Sequence, residues 1–150
     1  MDTNGTNSAT SELFQRIETS FLRQGMMQHL GVRLLRVEPG LCELALLYSE
    51  RVTQQQGGFH GGAMGALADI AGGYAAMTMV GPDAEVTTVE YKVNFLAGFT
   101  SGELRAVGRV VKAGKRIIVT TAEVTHAASD GTLSACAVMQ QTIMAVAKTY

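Results

Sequence analysis

The chain has little charge, few aromatic residues and no tryptophan. Charged residues make up 17% of its 150 residues and aromatic residues 6%, whereas hydrophobic residues reach 47%. This balance, with a formal net charge of −1, excludes a disordered chain, which combines low hydrophobicity with high net charge. It also excludes a nucleic-acid binder, because no basic excess is present to neutralise phosphates. So few charges on so apolar a chain indicate that part of its surface is covered in an oligomer.

Cysteine is scarce as well. Cys42 and Cys136 are too few and too far apart for a disulfide scaffold, and no His or Cys spacing fits a metal site. We therefore expect two reduced thiols in a cytoplasmic protein that uses neither a metal nor another cofactor.

The sequence has no long apolar run that is free of polar residues. The nearest approach extends from Phe59 to Val80 and contains His60, Asp69 and five glycines. An aspartate in the middle of a membrane-spanning helix is energetically costly. The segment therefore predicts a buried helix of a globular domain, and no membrane association.

The remaining pattern predicts the order of the elements. Residues 1–10 are polar and are expected to form a disordered lead-in to a single domain over residues 11–150. Helical spacing predicts an outer helix over 11–21, and alternation predicts strands before and after the apolar segment. A helix that is apolar on every side must be buried on every side. We predict an α+β fold with an antiparallel sheet of five to six strands wrapped around one long central helix, and a partner subunit over the side left bare.

Asp69 is the only charged residue between Phe59 and Val80. It lies too far along the segment to cap the helix, and no lysine or arginine stands three or four residues away. A lone carboxylate in such surroundings favours a functional over a purely structural role.

Glycines cluster around the same helix, with seven of the seventeen between Gly57 and Gly73. Gly61 and Gly62 stand at the predicted helix start, where backbone N–H groups point outward and can stabilise an oxyanion. The alternative is that the glycines only permit close helix packing. Packing explains Gly72 and Gly73 better than it explains Gly61 and Gly62.

The spacing of Gly61 and Asp69 limits how they can act together. They are eight residues apart, which corresponds to about 12 Å along a helix. Groups that react with one carbonyl must lie within about 3–3.5 Å of it. A site that uses both groups therefore needs two chains, whose central helices run antiparallel.

The run from His60 to Asp69 reads His-Gly-Gly, six residues, then Asp. It resembles the HGG-x6-D signature of hotdog-fold acyl-CoA thioesterases of the phenylacetate-degradation and 4-hydroxybenzoyl-CoA types. The order of elements over roughly residues 31–146 also agrees with that family. The resemblance implies a hotdog fold that hydrolyses an acyl-CoA thioester to a carboxylic acid and free CoA. It further implies a homodimer with shared sites, or a homotetramer built from such dimers.

The resemblance also implies a role for each matching residue. The Gly61 amide polarises the thioester carbonyl, and Asp69 attacks it or activates a water molecule. Gln54, six residues before His60, assists from the loop, while His60 shapes the turn and supports the oxyanion site. Thr88 holds the acid or the water, although an ordinary strand threonine is an equally open interpretation.

One feature departs from the family pattern. Gln54 is typical of the branch whose acid is Glu, whereas Asp69 is typical of the branch with Asn at the loop position. Because the chain combines the two, no substrate class is carried over from either branch.

Further residues are candidates for binding the substrate. Gly62 adjoins the oxyanion position, and Phe95 and Leu96 are predicted walls of an acyl tunnel. Lys115 and Arg116 flank a predicted hairpin and are candidates for contacts with the CoA phosphates. Core packing for Phe95 and a solvated turn for the two cations remain alternatives.

Two other functions stay open at this point. A hotdog dehydratase or hydratase would place a catalytic histidine near an acid, whereas His60 belongs to the glycine turn. A non-catalytic acyl-CoA binding module usually carries a DNA-binding domain, and the segment before Gly31 is too short and too weakly basic for one.

Overall fold

The computed structural model describes residues 4–150, with side chains from residue 10 onward. Within this range the chain forms three α-helices, one 3₁₀ turn and six strands. In chain order these are α1 (Asn4–Phe21), α2 (Gly25–Leu30), β1 (Val32–Glu38), β2 (Leu41–Leu47), the 3₁₀ turn (Glu50–Val52), α3 (Gly61–Met77), β3 (Ala84–Phe95), β4 (Glu103–Ala113), β5 (Ile117–Ala127) and β6 (Leu133–Ala147).

All six strands belong to one antiparallel sheet in the order β1-β2-β4-β5-β6-β3. The sheet curves around α3, which contacts every strand. The chain passes through α3 between β2 and β3, and this connection places β3 at the edge opposite β1. The predicted α+β architecture, a hotdog fold with an outer N-terminal helix, is thereby confirmed.

The central helix lies directly on the sheet backbone. A Cβ atom added to Gly108 of β4 would lie 2.2 Å from the carbonyl oxygen of Ala71 in α3. Real Cβ atoms essentially never come so close to backbone atoms, so only glycine permits this approach. Leu104 and Ala106 precede Gly108 on the same inward face and are buried against the helix.

One face of α3 is only partly covered by the rest of the chain. Most of the helix is buried, and its incompletely buried positions recur at helical spacing along a single stripe. This bare stripe consists of Gly62, Ala66, Asp69, Ile70 and Gly73, and it begins beside Gly61 at the helix start. Because an apolar helix must be buried on every side, a partner subunit is predicted to cover this face.

The N-terminal region differs from the prediction. Helix α1 begins at Asn4, so residues 4–10 are helical and not a disordered lead-in, while residues 1–3 lie outside the described residues. Apolar spacing marks only those turns of a helix that pack against something, so polar leading turns give no such signal. The six-residue helix α2 was also missed. It ends at Gly31, whose φ of +77° is the left-handed conformation that glycine adopts readily.

Both cysteines are buried, and neither forms a disulfide. Burial raises the pKa of the Cys42 thiol to about 12, so this group stays protonated at neutral pH. Over residues 4–150 no helix is long and apolar enough to cross a membrane.

Candidate active site

The start of α3 leaves one backbone amide without a partner. His60 is the N-cap, and its Nδ1 accepts a hydrogen bond of 2.7 Å from the Gly62 amide. The amides of Ala63 and Met64 donate to the His60 carbonyl. Within the described chain, the N–H of Gly61 is the only amide of this first turn that makes no hydrogen bond. It is therefore available to an incoming oxygen, whereas the Gly62 amide is occupied by His60.

The loop before α3 is held by its own backbone. The amide of Gln54 donates to the Gly58 carbonyl, and the His60 amide donates to Val52 at 2.7 Å. The side-chain oxygen of Gln54 accepts a hydrogen bond from the Gln56 amide. Gln54 is half-buried in this loop, and among residues 4–150 no hydrogen bond joins it to Asp69.

Phe95 borders the start of the helix. A Cβ atom added to Gly61 would lie 3.3 Å from Cζ of Phe95, so the ring packs against the glycine backbone. The ring is nevertheless 51% exposed, and the neighbouring Leu96 is 55% exposed. Phe95 therefore lies beside the free Gly61 amide on an exposed surface, and core packing does not explain its position.

Asp69 is half-buried on the bare stripe, and two side chains hold one of its oxygens. Thr88 Oγ1 donates to Oδ1 at 2.7 Å, and Gln141 Nε2 donates to the same oxygen at 2.6 Å. Oδ2 makes no hydrogen bond within the described residues. Since no buried side-chain polar atom in this range lacks a partner, Oδ2 must be reached by solvent. The carboxylate is thus fixed through one oxygen and open at the other.

Gln141 is a site residue that sequence reasoning missed. It lies on β6, is fully buried, and its Oε1 accepts a 2.9 Å hydrogen bond from Thr120 on β5. The available signal was the alternation Ala137, Met139, Gln141, Ile143, which puts Gln141 on the apolar face of its strand. The adjacent Gln140 obscured this pattern, because without the register either glutamine could face inward.

A pocket of about 340 Å³ opens beside Asp69 and Thr88. Ile70, Met77 and Val86 form its apolar walls. Its other lining residues are polar or small: Ser20, Arg23, Gln24, Gly73, Tyr74, Glu85 and Tyr150. The pocket extends from the carboxylate along α3 toward the C-terminal part of α1.

Two phenols stand at the polar end of this pocket. The hydroxyl of Tyr74 is hydrogen-bonded to Ser20 at 3.2 Å and to Gln24 at 2.8 Å, and burial raises the pKa of Tyr74. The hydroxyl of Tyr150 donates to Glu85 at 2.5 Å, and this hydrogen bond raises the pKa of Tyr150. Both phenols therefore remain protonated at neutral pH.

The remaining candidates lie away from the pocket. Lys115 and Arg116 are exposed in the turn between β4 and β5, and neither lines it. In the described part of the chain no cluster of His, Cys, Asp or Glu side chains could hold a metal ion.

The fold and the position of the acid on its central helix define a class of protein, the hotdog thioester hydrolases. The sequence profile of the Thioesterase superfamily matches residues 56–132, a range that includes both Gly61 and Asp69. The chain belongs to the Thioesterase superfamily.

Individual relatives agree with this placement. The chain is 32% identical to a Saccharolobus solfataricus protein classed among the esterases, over 87% of this chain and 86% of that protein. It is 31% identical to the 1,4-dihydroxy-2-naphthoyl-CoA hydrolase of Listeria monocytogenes, over 61% of this chain and 74% of that enzyme. A crystal structure of a thioesterase family protein from Silicibacter pomeroyi is 38% identical and has a TM-score of 0.86, covering 91% of this chain and 99% of the other.

Proposed function

We propose that the protein is an acyl-CoA thioesterase in which Asp69 of one chain and the Gly61 amide of a second chain act on the same thioester. The hydrogen bonding of these two groups is the observation that supports the proposal. The carboxylate is held at Oδ1 with Oδ2 open, and Gly61 has the free amide of the first helical turn.

The separation of the two groups supports a site shared between chains. Both lie on α3, eight residues apart, so they are about 12 Å apart along the axis of one straight helix. Two antiparallel copies of α3 would bring Asp69 of one chain toward Gly61 of the other. The bare stripe, which carries Asp69, is the face of α3 that such a partner would cover.

In the proposed reaction the partner's Gly61 amide donates to the thioester carbonyl oxygen and stabilises the negative charge that develops on it. Asp69 Oδ2 either attacks the carbonyl carbon directly or removes a proton from an attacking water molecule. By direct attack, the C–S bond breaks as a mixed anhydride forms between the acyl group and Asp69, and a water molecule then hydrolyses this anhydride and regenerates the carboxylate. By the other route, the oxygen of the activated water bonds to the carbonyl carbon as the C–S bond breaks. On both routes the products are the carboxylic acid and CoA thiol, and one water molecule supplies the added oxygen and the proton of the thiol. Thr88 keeps the carboxylate oriented through Oδ1.

The other predicted residues have supporting parts in this proposal. His60 fixes the helix start through the Gly62 amide, Gln54 shapes the loop before it, and Phe95 borders the oxyanion position. The pocket beside Asp69 receives the acyl group, and Leu96 extends the apolar surface next to Phe95. Lys115 and Arg116 stay predictions for the CoA phosphates.

The proposed assembly is a homodimer or a homotetramer of such dimers, in the cytoplasm. The two free thiols support a reducing compartment.

The first test is Asp69→Asn, assayed by thiol release from a panel of aromatic, short-chain and medium-chain acyl-CoAs. Removing the base or nucleophile should lower kcat by at least about 100-fold. Asp83→Asn makes the same change at an exposed aspartate outside the pocket and should leave the rate unchanged. A wild-type rate for Asp69→Asn would contradict the proposal.

The same preparation separates the alternatives. Addition or loss of water with enoyl- and hydroxyacyl-CoA, without thiol release, would replace the proposal with a dehydratase or hydratase. Tight binding of acyl-CoA by the wild-type protein without any turnover would replace it with a binding module.

A further inference from the structure

The carboxylate of Asp69 stands at the end of a buried hydrogen-bond chain that crosses two strands. Thr120 on β5 and Gln141 on β6 are direct cross-strand partners, and both side chains are fully buried. Thr120 Oγ1 donates to Gln141 Oε1 at 2.9 Å. Gln141 Nε2 then donates to Asp69 twice, to Oδ1 at 2.6 Å and to the backbone carbonyl at 3.1 Å.

These contacts determine how the Gln141 amide is turned. Nε2 carries two hydrogens, and both point at acceptors of Asp69. The reversed amide would bring Oε1 against a carboxylate and a carbonyl, so that three acceptors would face one another. Thr120 meanwhile supplies the donor that Oε1 needs. The network therefore presents only N–H groups to Asp69.

The helix is shaped to admit this side chain. A Cβ atom at Gly72 would lie 1.7 Å from Gln141 Oε1 and 2.8 Å from Thr120 Oγ1. Gly72 is thus the position where the glutamine and threonine reach the helix, one turn after Asp69. Glycine destabilises a helix interior relative to alanine, but at position 72 it makes room for polar side chains from the sheet.

We propose that Gln141 is a positioning residue for Asp69, that Thr120 fixes the orientation of its amide, and that together they reserve Oδ2 as the oxygen that reacts. The proposal rests on the thioesterase function proposed above. Thr88 and Gln141 both donate to Oδ1, so both acceptor positions of this oxygen are occupied. Oδ2 is left as the only carboxylate oxygen available to substrate or water.

The test measures kcat and KM for Gln141→Met, which keeps the length of the side chain and removes both donors. We expect kcat to fall by about 10- to 100-fold with little change in KM, as for a lost hydrogen bond to a charged group. Gln140→Met makes the same change on the exposed face of the same strand and should leave both constants unchanged.

Thr120→Val provides a second variant that preserves shape and removes only the hydroxyl. It should lower kcat less than Gln141→Met does, again with little change in KM, and it decides the question if Gln141→Met does not fold. A wild-type kcat in the folded variants would overturn the proposal. So would a loss of rate fully explained by a loss of folded protein, or a rise in KM with kcat unchanged.

Asp69→Asn separates this inference from the function on which it depends. If Asp69→Asn is inactive and the Gln141 and Thr120 variants match the wild type, only the positioning role fails. If Asp69→Asn keeps full activity, the proposed function fails first.

Discussion

Two adjacent glycines on α3 have different surroundings. Gly72 faces the sheet, where its missing side chain makes room for Gln141. Gly73 faces the pocket, and a Cβ atom there would meet nothing within 4 Å. The first glycine is required by packing against the sheet, and the second leaves space next to Asp69.

This difference predicts opposite effects of the same substitution on stability. Gly72→Ala would displace a buried side chain from its hydrogen bonds and should lower the free energy of unfolding by about 1–3 kcal/mol. Gly73→Ala replaces glycine in a helix without a clash and should raise it by about 0.5–1 kcal/mol. Chemical denaturation of both variants measures the two values. Equal effects of the two substitutions would contradict the described contacts of Gly72.

The sequence predicted which residues could react, but it did not predict which side chains hydrogen-bond to them. Asp69 and Gly61 were found because a charge and a helix start stand out in an apolar, glycine-rich run. Gln141 lies 72 residues after Asp69 and reaches it only through the pairing of β5 with β6. No local pattern contains that information.

Among the elements, α1 is hydrogen-bonded to the C-terminal end of the central helix α3. Arg16 donates to the carbonyls of Val80 at 2.9 Å and Met77 at 2.7 Å, near the negative end of the α3 dipole. Ser20, one turn further along α1, lines the pocket beside Asp69 and contacts Tyr74. The outer helix is therefore a wall of the pocket as well as a cover for the core.

Removing this attachment should affect binding more than chemistry. Arg16→Met keeps the apolar stem and should lower the free energy of unfolding by about 1.5–3 kcal/mol. KM for the best acyl-CoA should rise on the order of tenfold with kcat near the wild-type value, because one wall of the pocket loosens. Hydrogen exchange over residues 10–21 should become faster.

Arg109→Met, on the exposed face of β4, is the matched control and should change none of these quantities. A fall in kcat with unchanged KM for Arg16→Met would contradict the role assigned to α1.

Periodicity located those elements that pack against something. Alternation gave the strands, and the wholly apolar run gave α3 with its start at His60 to Gly62. The first turns of α1 and the short α2 were missed because a polar stretch of sequence and a six-residue helix carry no periodic apolar signal. The order of the strands was also out of reach, since β3 pairs with β6, more than 40 residues later in the chain.

Over the described residues, the β3 edge of the sheet and one face of the central helix are incompletely covered. β3 is the edge strand next to β6, and Val89, Tyr91 and Phe95 on it are 56%, 46% and 51% exposed. A long edge strand with exposed apolar side chains is a ready pairing surface for another chain. The bare stripe of α3 is a second such surface. These two surfaces agree with the low charge content of the sequence, because a surface that is buried in an assembly needs fewer charged residues than one exposed to solvent.

The central claim is that each site combines Asp69 of one chain with Gly61 of another, and mixed dimers test it most directly. Gly61→Pro removes the free amide and keeps the helix start, since proline is favoured at the first helical position. The exposed Phe95 ring, 3.3 Å from a Cβ atom at this position, must shift by a few tenths of an ångström to admit it. The preceding His60, at φ −67° and ψ 135°, already has the extended conformation that proline requires before it.

Gly61→Pro and Asp69→Asn chains should each be inactive alone. When they are co-expressed with two different tags, half of the sites in each mixed dimer would contain an intact Gly61 and an intact Asp69. We predict recovery of about a quarter of the wild-type activity in a random mixture, and about half in mixed dimers purified through both tags. Purified mixed dimers that remain as inactive as the two parent variants would contradict the shared site.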